Sequence, residues 1–171
     1  MHKLRHTPGD PEEALRAALE GVAGPGPVHV LGLGYADKAD DGAGVLVAET
    51  LKKPFPGFSF SEHDGIEGTV LDISERRGPG TVFFVDGTDI GEAPGTILVV
   101  PKEGIKETEI STHRVPVSLM AAVLAREGKG TAVVCIQVRS LEFQGALTPE
   151  VSAAVGLLVK VLGDMMRARD G

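Results

Sequence analysis

The 171-residue chain contains no tryptophan, a single tyrosine and only six phenylalanines. This is too few for a base-stacking platform of the kind that binds single-stranded nucleic acid. Basic residues are also in the minority. Seventeen Lys and Arg stand against 24 Asp and Glu, a formal net charge of −7, and phosphate-backbone binding needs the opposite balance. The lone cysteine, Cys135, can form no internal disulfide and no multi-cysteine zinc site, and it fits a reducing cytoplasm. No apolar run approaches the roughly 18 residues that span a bilayer. The first 15 residues, MHKLRHTPGDPEEAL, start basic but turn acidic without an apolar centre, which is unlike a secretory signal. Nucleic acid and membrane are therefore not expected partners.

Glycine and proline are abundant instead. The 23 Gly and 11 Pro make up about a fifth of the chain, against a usual background of roughly 12%. The apolar share of 42% is too high for a disordered chain, and the length suits one domain. Asp10-Pro11-Glu12-Glu13 opens a helix over about 10–22, with Asp10 as cap and Pro11 in the first turn, and Gly24-Pro25-Gly26-Pro27 stops it. A short apolar strand at 28–31 runs into Gly32-Leu33-Gly34 and a polar loop, then a helix over about 42–51. A short strand near 58–60 and a helix over 66–75 follow. Thr81–Val85 is nearly all apolar, as a strand covered on both faces reads, and ends at Asp86.

Strand 96–100 comes too soon after it for a helical crossover, so it runs antiparallel to its neighbour or lies at an edge. A polar loop over 101–113, a helix over 115–126, a strand over 131–138 and a last helix from Thr148-Pro149 to about 168 complete the chain. The alternation predicts a three-layer α/β sandwich: a mostly parallel twisted sheet of about five strands with helices on both faces. Residues 1–171 form one domain, with 1–27 as an N-terminal helical extension.

In such a sheet, ligands bind beyond the carboxyl ends of the strands. That directs attention to Asp37, Asp40 and Asp41 after the first strand, and to Asp86 and Asp89 after the strand at 81–85. Asp40 and Asp41 also suit the cap of the helix that follows. Asp86 is either a turn residue in Asp86-Gly87 or a charge that needs a partner or a metal. Gly32-x-Gly34 lacks the third small residue of a dinucleotide fingerprint, because Asp37 stands there, so tight packing is the plainer role. Of the histidines, His2 and His6 lie in the loose start, His29 in a strand and His63 in an acidic turn. His113, just before a helix, is the candidate for chemistry, although a loop histidine with no such role reads the same way. There is no Gly-x-Ser-x-Gly elbow, and Cys135 lies in mid-strand, where a thiol is inert. What the residues leave open is a metal site of two carboxylates and an imidazole, suited to zinc or nickel better than to calcium.

Five short blocks in order resemble the endopeptidases that mature [NiFe] hydrogenases. These are Val30-Leu31-Gly32-Leu33-Gly34 with Asp40-Asp41-Gly42-Ala43-Gly44-Val45; Asp64-Gly65; Val85-Asp86-Gly87-Thr88-Asp89 with Ala93-Pro94-Gly95-Thr96; Ser111-Thr112-His113; and Gly145-x-Leu147-Thr148-Pro149-Glu150-Val151. The resemblance covers about 28–165. It implies removal of a C-terminal extension from a hydrogenase large-subunit precursor after nickel insertion. It further implies Asp41 and Asp86 as catalytic carboxylates, Asp41, Asp86 and His113 as the metal-binding set, and Gly34, Tyr35, Asp64 and Gly65 as substrate contacts. The divalent metal is the substrate's nickel, for which zinc or cadmium would stand in within a crystal. The implied partner is the precursor, met by a monomer in the cytoplasm.

Two positions depart from the family pattern: Tyr35 replaces an Asn, and Ile66-Glu67 replaces a Gly-Thr. The helix over 10–22 is one the family generally lacks, and it would cap a sheet edge or contact a partner. Two other readings stand beside the peptidase: a non-catalytic maturation chaperone of the same fold, and a nucleotide-binding domain based on Gly32-x-Gly34 alone.

Overall fold

The computed structural model describes residues 9–105, 115–142 and 145–169. Its elements, in chain order, are α1 (Pro11–Val22), β1 (Val28–Gly32), α2 (Ala43–Lys52), β2 (Ser59–Ser61), α3 (Ile66–Glu75), β3 (Gly80–Thr88), β4 (Ile97–Pro101), α4 (Val117–Arg126), β5 (Lys129–Gln137) and α5 (Pro149–Arg169). The strands form one sheet in the order β2-β1-β3-β5-β4. All pairings are parallel except that of β4 with β5. The short β3–β4 connection dictates that exception, as its length led one to expect, and β4 forms one edge. None of the helices in the described residues is long and apolar enough to cross a membrane.

Alternating strand residues feed two apolar layers. Val30, Phe83, Val85, Val99 and Val134 face α1, α2 and α5. Leu31, Val82, Phe84, Val133 and Cys135 face α3 and α4. The central strands are thus apolar on both sides, and their sequences read as continuous apolar runs. α1 buries Leu15 and Leu19 in the first layer, where it meets α5 and β4. Ion pairs of Arg16 with Asp164 (2.9 Å), Lys160 with Glu12 (2.6 Å) and Arg169 with Glu20 (2.8 Å) border its contact with α5. α1 is therefore built into the domain beside the β4 edge.

One close approach fixes α2 to the sheet. A Cβ on Gly44, in the first turn of α2, would lie 2.1 Å from the Val85 carbonyl oxygen and 2.6 Å from that of Leu33. A Cβ on Gly32 would lie 2.1 Å from the Gly44 carbonyl oxygen. Backbone therefore packs on backbone where α2 crosses the ends of β1 and β3. Gly44→Ala is expected to cost about 3 kcal/mol, as overpacking of a tight core contact does, and to lower the thermal midpoint by roughly 10 °C, read by calorimetry.

The opposite, amino end of the sheet carries a buried polar cluster. Lys129 donates from Nζ to the carbonyls of Arg76 (2.6 Å) and Gly78 (2.5 Å), placing a cation at the C-terminal end of α3. His29 is buried against Phe58, and its Nε2 lies 3.3 Å from Nη1 of Arg76. Because arginine only donates, that nitrogen accepts and the ring is neutral. Burial, then the Arg76 and Lys129 charges, push the His29 pKa down to about 4. An unfolded histidine titrates near 6.5, so between these values the unfolded state binds more protons than the folded one. Stability contributed by His29 is complete above about pH 6.5 and falls by roughly 3 kcal/mol as the pH drops to about 4. Denaturant melts from pH 7 to 4.5 are expected to show this loss in the parent chain and not in His29→Gln.

Candidate functional site

The direction of chain progression reverses between β1 and β3. From β1 the chain passes through α2 to β2 on one side, whereas β3 has β5 and then β4 on the other. Beyond the carboxyl ends of two such strands a doubly wound sheet opens a crevice. The last β1–β3 pair is Gly32 with Val85, followed by a hydrogen bond from Leu33 N–H to the Val85 carbonyl (2.8 Å). The chain then turns at Gly34, whose φ of +117° is open to glycine and strained for other residues. A Cβ there would also lie 2.0 Å from the Asp41 carbonyl oxygen.

The loop from Gly34 to Asp41 closes on itself. The Asp41 carboxylate accepts from the Tyr35 N–H (2.9 Å), the Asp41 N–H donates to the Lys38 carbonyl (2.9 Å), and the Lys38 N–H donates to that of Tyr35 (3.1 Å). Asp41 is half-buried in a short 3₁₀ turn, 39–42, that leads into α2. Tyr35 is 56% exposed, with the Lys38 ammonium 4.9 Å from the centre of its ring. Gly32 and Gly34 thus serve close packing and a loop closed by its own carboxylate.

Asp86 does not end its strand, as the apolar run suggested. β3 continues through Thr88 because Asp86, Gly87 and Thr88 pair with Cys135, Ile136 and Gln137 of β5. Asp86 is 5% exposed and stands one residue beyond the last β1–β3 pair. The next residue, Gly87, approaches the chain beside Asp41: a Cβ on it would lie 2.3 Å from the Asp40 carbonyl oxygen. The fold therefore brings the Asp41 turn and the Asp86 end of β3 together. His113, with Ser111 and Thr112, lies outside the described residues, as do His2 and His6. Among the described residues no three His, Cys, Asp or Glu are grouped to hold a metal ion.

Burial, and then the charge of Asp86, push the Cys135 thiol up to about 12, so it stays protonated and is no nucleophile. Ser61 is buried and donates to Glu49 (2.5 Å). Asp64 accepts from the Ser61 N–H (2.9 Å) and Lys52 Nζ (2.5 Å), which ties its turn to α2. Burial opposes its ionisation, but these partners hold it below the ordinary carboxylate range. Gly65 adopts φ +80° with open space around it. The acid of this turn that reaches the loop after β1 is Glu62, with Oε1 3.4 Å from the Gly34 N–H. Sequence reasoning passed over Glu62, whose signal is its position directly after β2.

Asp40 is placed differently from the helix cap first considered. It is fully buried, and its carboxylate crosses to the segment between β5 and α5. Burial works against its charge, but hydrogen bonds from Thr148, Ser140 and Arg139 outweigh it and keep Asp40 below the usual carboxylate range. Thr148, read as the cap of the last helix, directs its hydroxyl to this carboxylate (2.9 Å). Gln137 was also missed. Its Oε1 accepts from the N–H groups of Ile90 (2.7 Å) and Glu92 (3.1 Å), and its Nε2 donates to Asp89 (3.2 Å), which shapes the loop after β3. Asp89 is accordingly engaged within that loop.

The hydrogenase maturation protease family (HycI) matches residues 66–164, more than half of the chain and a span that includes Asp86 and His113. The hydrogenase 3 maturation protease of Escherichia coli (strain K12) is 29% identical over 130 residues, covering 74% of this chain and 82% of that protein. Among solved structures, the [NiFe] hydrogenase maturation protease HycI from Thermococcus kodakarensis KOD1 superposes with a TM-score of 0.73 at 22% identity, over 87% of this chain and 98% of the other. The endopeptidase HycI from Escherichia coli gives 0.65 at 26% identity, over 81% and 90%. With the fold and the ordered motifs in agreement with the family match, the chain belongs to the hydrogenase maturation proteases.

Proposed function

We propose that this chain is an endopeptidase that removes the C-terminal extension of a [NiFe]-hydrogenase large-subunit precursor once nickel has been inserted. The observation that carries the reading is the meeting of the Asp41 turn with the end of β3 at Asp86, through the Gly87–Asp40 contact, where the sheet opens its crevice. Asp41 and Asp86 offer carboxylate oxygens and His113 an imidazole, a donor set suited to the nickel of the substrate that leaves positions free on the ion. A metal so held orients the scissile peptide and polarises its carbonyl or activates water. Water is the attacking group in this reading, because Cys135 is protonated and buried and Ser61 is buried against Glu49.

Gly34 and the exposed Tyr35 line the approach for the precursor, with the Asp64-Gly65 turn beside them. The reading includes a monomer acting in the cytoplasm. The Tyr35 departure from the family's Asn favours one alternative, a chaperone that binds the nickel-loaded precursor without cutting it.

Incubating the purified chain with nickel-loaded precursor separates the two. The parent chain is expected to yield a truncated large subunit, and Asp41→Asn, Asp86→Asn and His113→Ala each to slow this by about a hundredfold or more, the scale of a lost catalytic group. Near-ultraviolet circular dichroism checks that the variants fold. Full-rate cleavage by any of these variants would remove that residue from the mechanism. A stable complex with uncut precursor would establish the chaperone instead.

A further inference from the structure

Asp40 precedes Asp41 and is 0% exposed, yet among the described residues no side-chain cation donates to it. One carboxylate oxygen accepts from the N–H groups of Arg139 (2.8 Å) and Ser140 (2.9 Å), and the other from the Thr148 N–H (2.8 Å). The Thr148 hydroxyl lies within 3.1 Å of one oxygen and 2.9 Å of the other. The Asp40 N–H in turn donates to the Ser140 carbonyl (3.1 Å). The guanidinium of Arg139 is directed to Glu150 instead (2.8 Å). The charge of Asp40 is thus held by backbone dipoles, including those at the start of α5.

This clamp reaches beyond local packing. On one side of Asp40 lies Ala39, a non-glycine residue with φ +41°, a conformation that persists only where its surroundings enforce it. On the other side lies Asp41, whose carboxylate closes the loop on the Tyr35 N–H. The Asp40 carbonyl itself meets Gly87, the residue after Asp86. We propose that Asp40 is a positioning residue for the candidate centre: its buried carboxylate, held by Arg139, Ser140 and Thr148, fixes Asp41 relative to Asp86. The inference rests on the reading of those two carboxylates as the reacting groups.

The Thr148 side chain hydrogen-bonds Asp40, whereas the Tyr35 N–H is held by Asp41, so changing Thr148 reports on transmission through Asp40. Thr148→Val removes the hydroxyl but keeps the N–H, and Thr148→Ser restores the donor. Amide hydrogen exchange at Tyr35 and steady-state processing of nickel-loaded precursor are measured for each. Thr148→Val is expected to speed Tyr35 exchange about tenfold and to lower kcat about tenfold, the scale of one hydrogen bond to a charged group, with KM within about twofold. Thr148→Ser is expected to return both to the parent values, and Asp40→Asn, where it folds, to show larger changes. Tyr35 exchange unmoved in Thr148→Val while Ser140 exchange rises would overturn the proposal and leave Asp40 a purely structural tether. If the parent chain cleaves no precursor, the peptidase reading fails, and Tyr35 exchange alone decides whether Asp40 positions Asp41.

Discussion

The seating of α2 on the ends of β1 and β3 is the constraint from which the site follows. Gly44 lies against the carbonyls of Val85 and Leu33, and Gly32 against that of Gly44. With no side chain at these positions, the helix start comes down onto the strand ends. The preceding 3₁₀ turn then has little room, and its residues divide between two tasks. Asp40 goes inward to Thr148, Ser140 and Arg139, and Asp41 stays half-buried beyond the carboxyl end of β1. The same backbone contacts bring Gly87, and with it Asp86, against the turn. Three segments far apart in sequence are thereby assembled around two carboxylates.

The two ends of the sheet are built on different principles. At the amino end, Lys129 and Arg76 occupy backbone carbonyls and His29 is kept neutral, so the polar groups there serve the fold. At the carboxyl end, acids hold loops by accepting N–H groups: Asp41 from Tyr35, Asp40 from three amides, Asp89 from Gly91. α1, ion-paired to α5 and packed near β4, adds apolar area to one layer. Tyr35 and the start of α3 at Ile66 lie at the carboxyl end.

Much of this was legible in the sequence because it depends on local pattern. Runs such as Thr81–Val85 announce strands covered on both faces, Asp10-Pro11 announces a helix start, and the short connection before strand 96–100 announces its reversal. The extension of β3 through Asp86 was not legible, because pairing with Cys135–Gln137 carries it, and a charged residue ends an apolar run. The partners of Asp40 lie about a hundred residues away, and no spacing rule reaches them. In the Glu62-His63-Asp64 turn the motif drew attention to Asp64, which Lys52 and Ser61 engage, whereas Glu62 points to Gly34. Joining Asp41, Asp86 and His113 into one set came from the order of the motifs; position in the sheet accounts for the first two.

The proposed role of the crevice between β1 and β3 is a nickel-dependent cut in a hydrogenase large subunit. Intact-mass measurement of a purified precursor, with and without inserted nickel, after incubation with the parent chain tests it most directly. Loss of the C-terminal extension from the nickel-loaded form is expected, with an unchanged mass for the nickel-free form. An unchanged mass for both, or equal truncation of both, would contradict it.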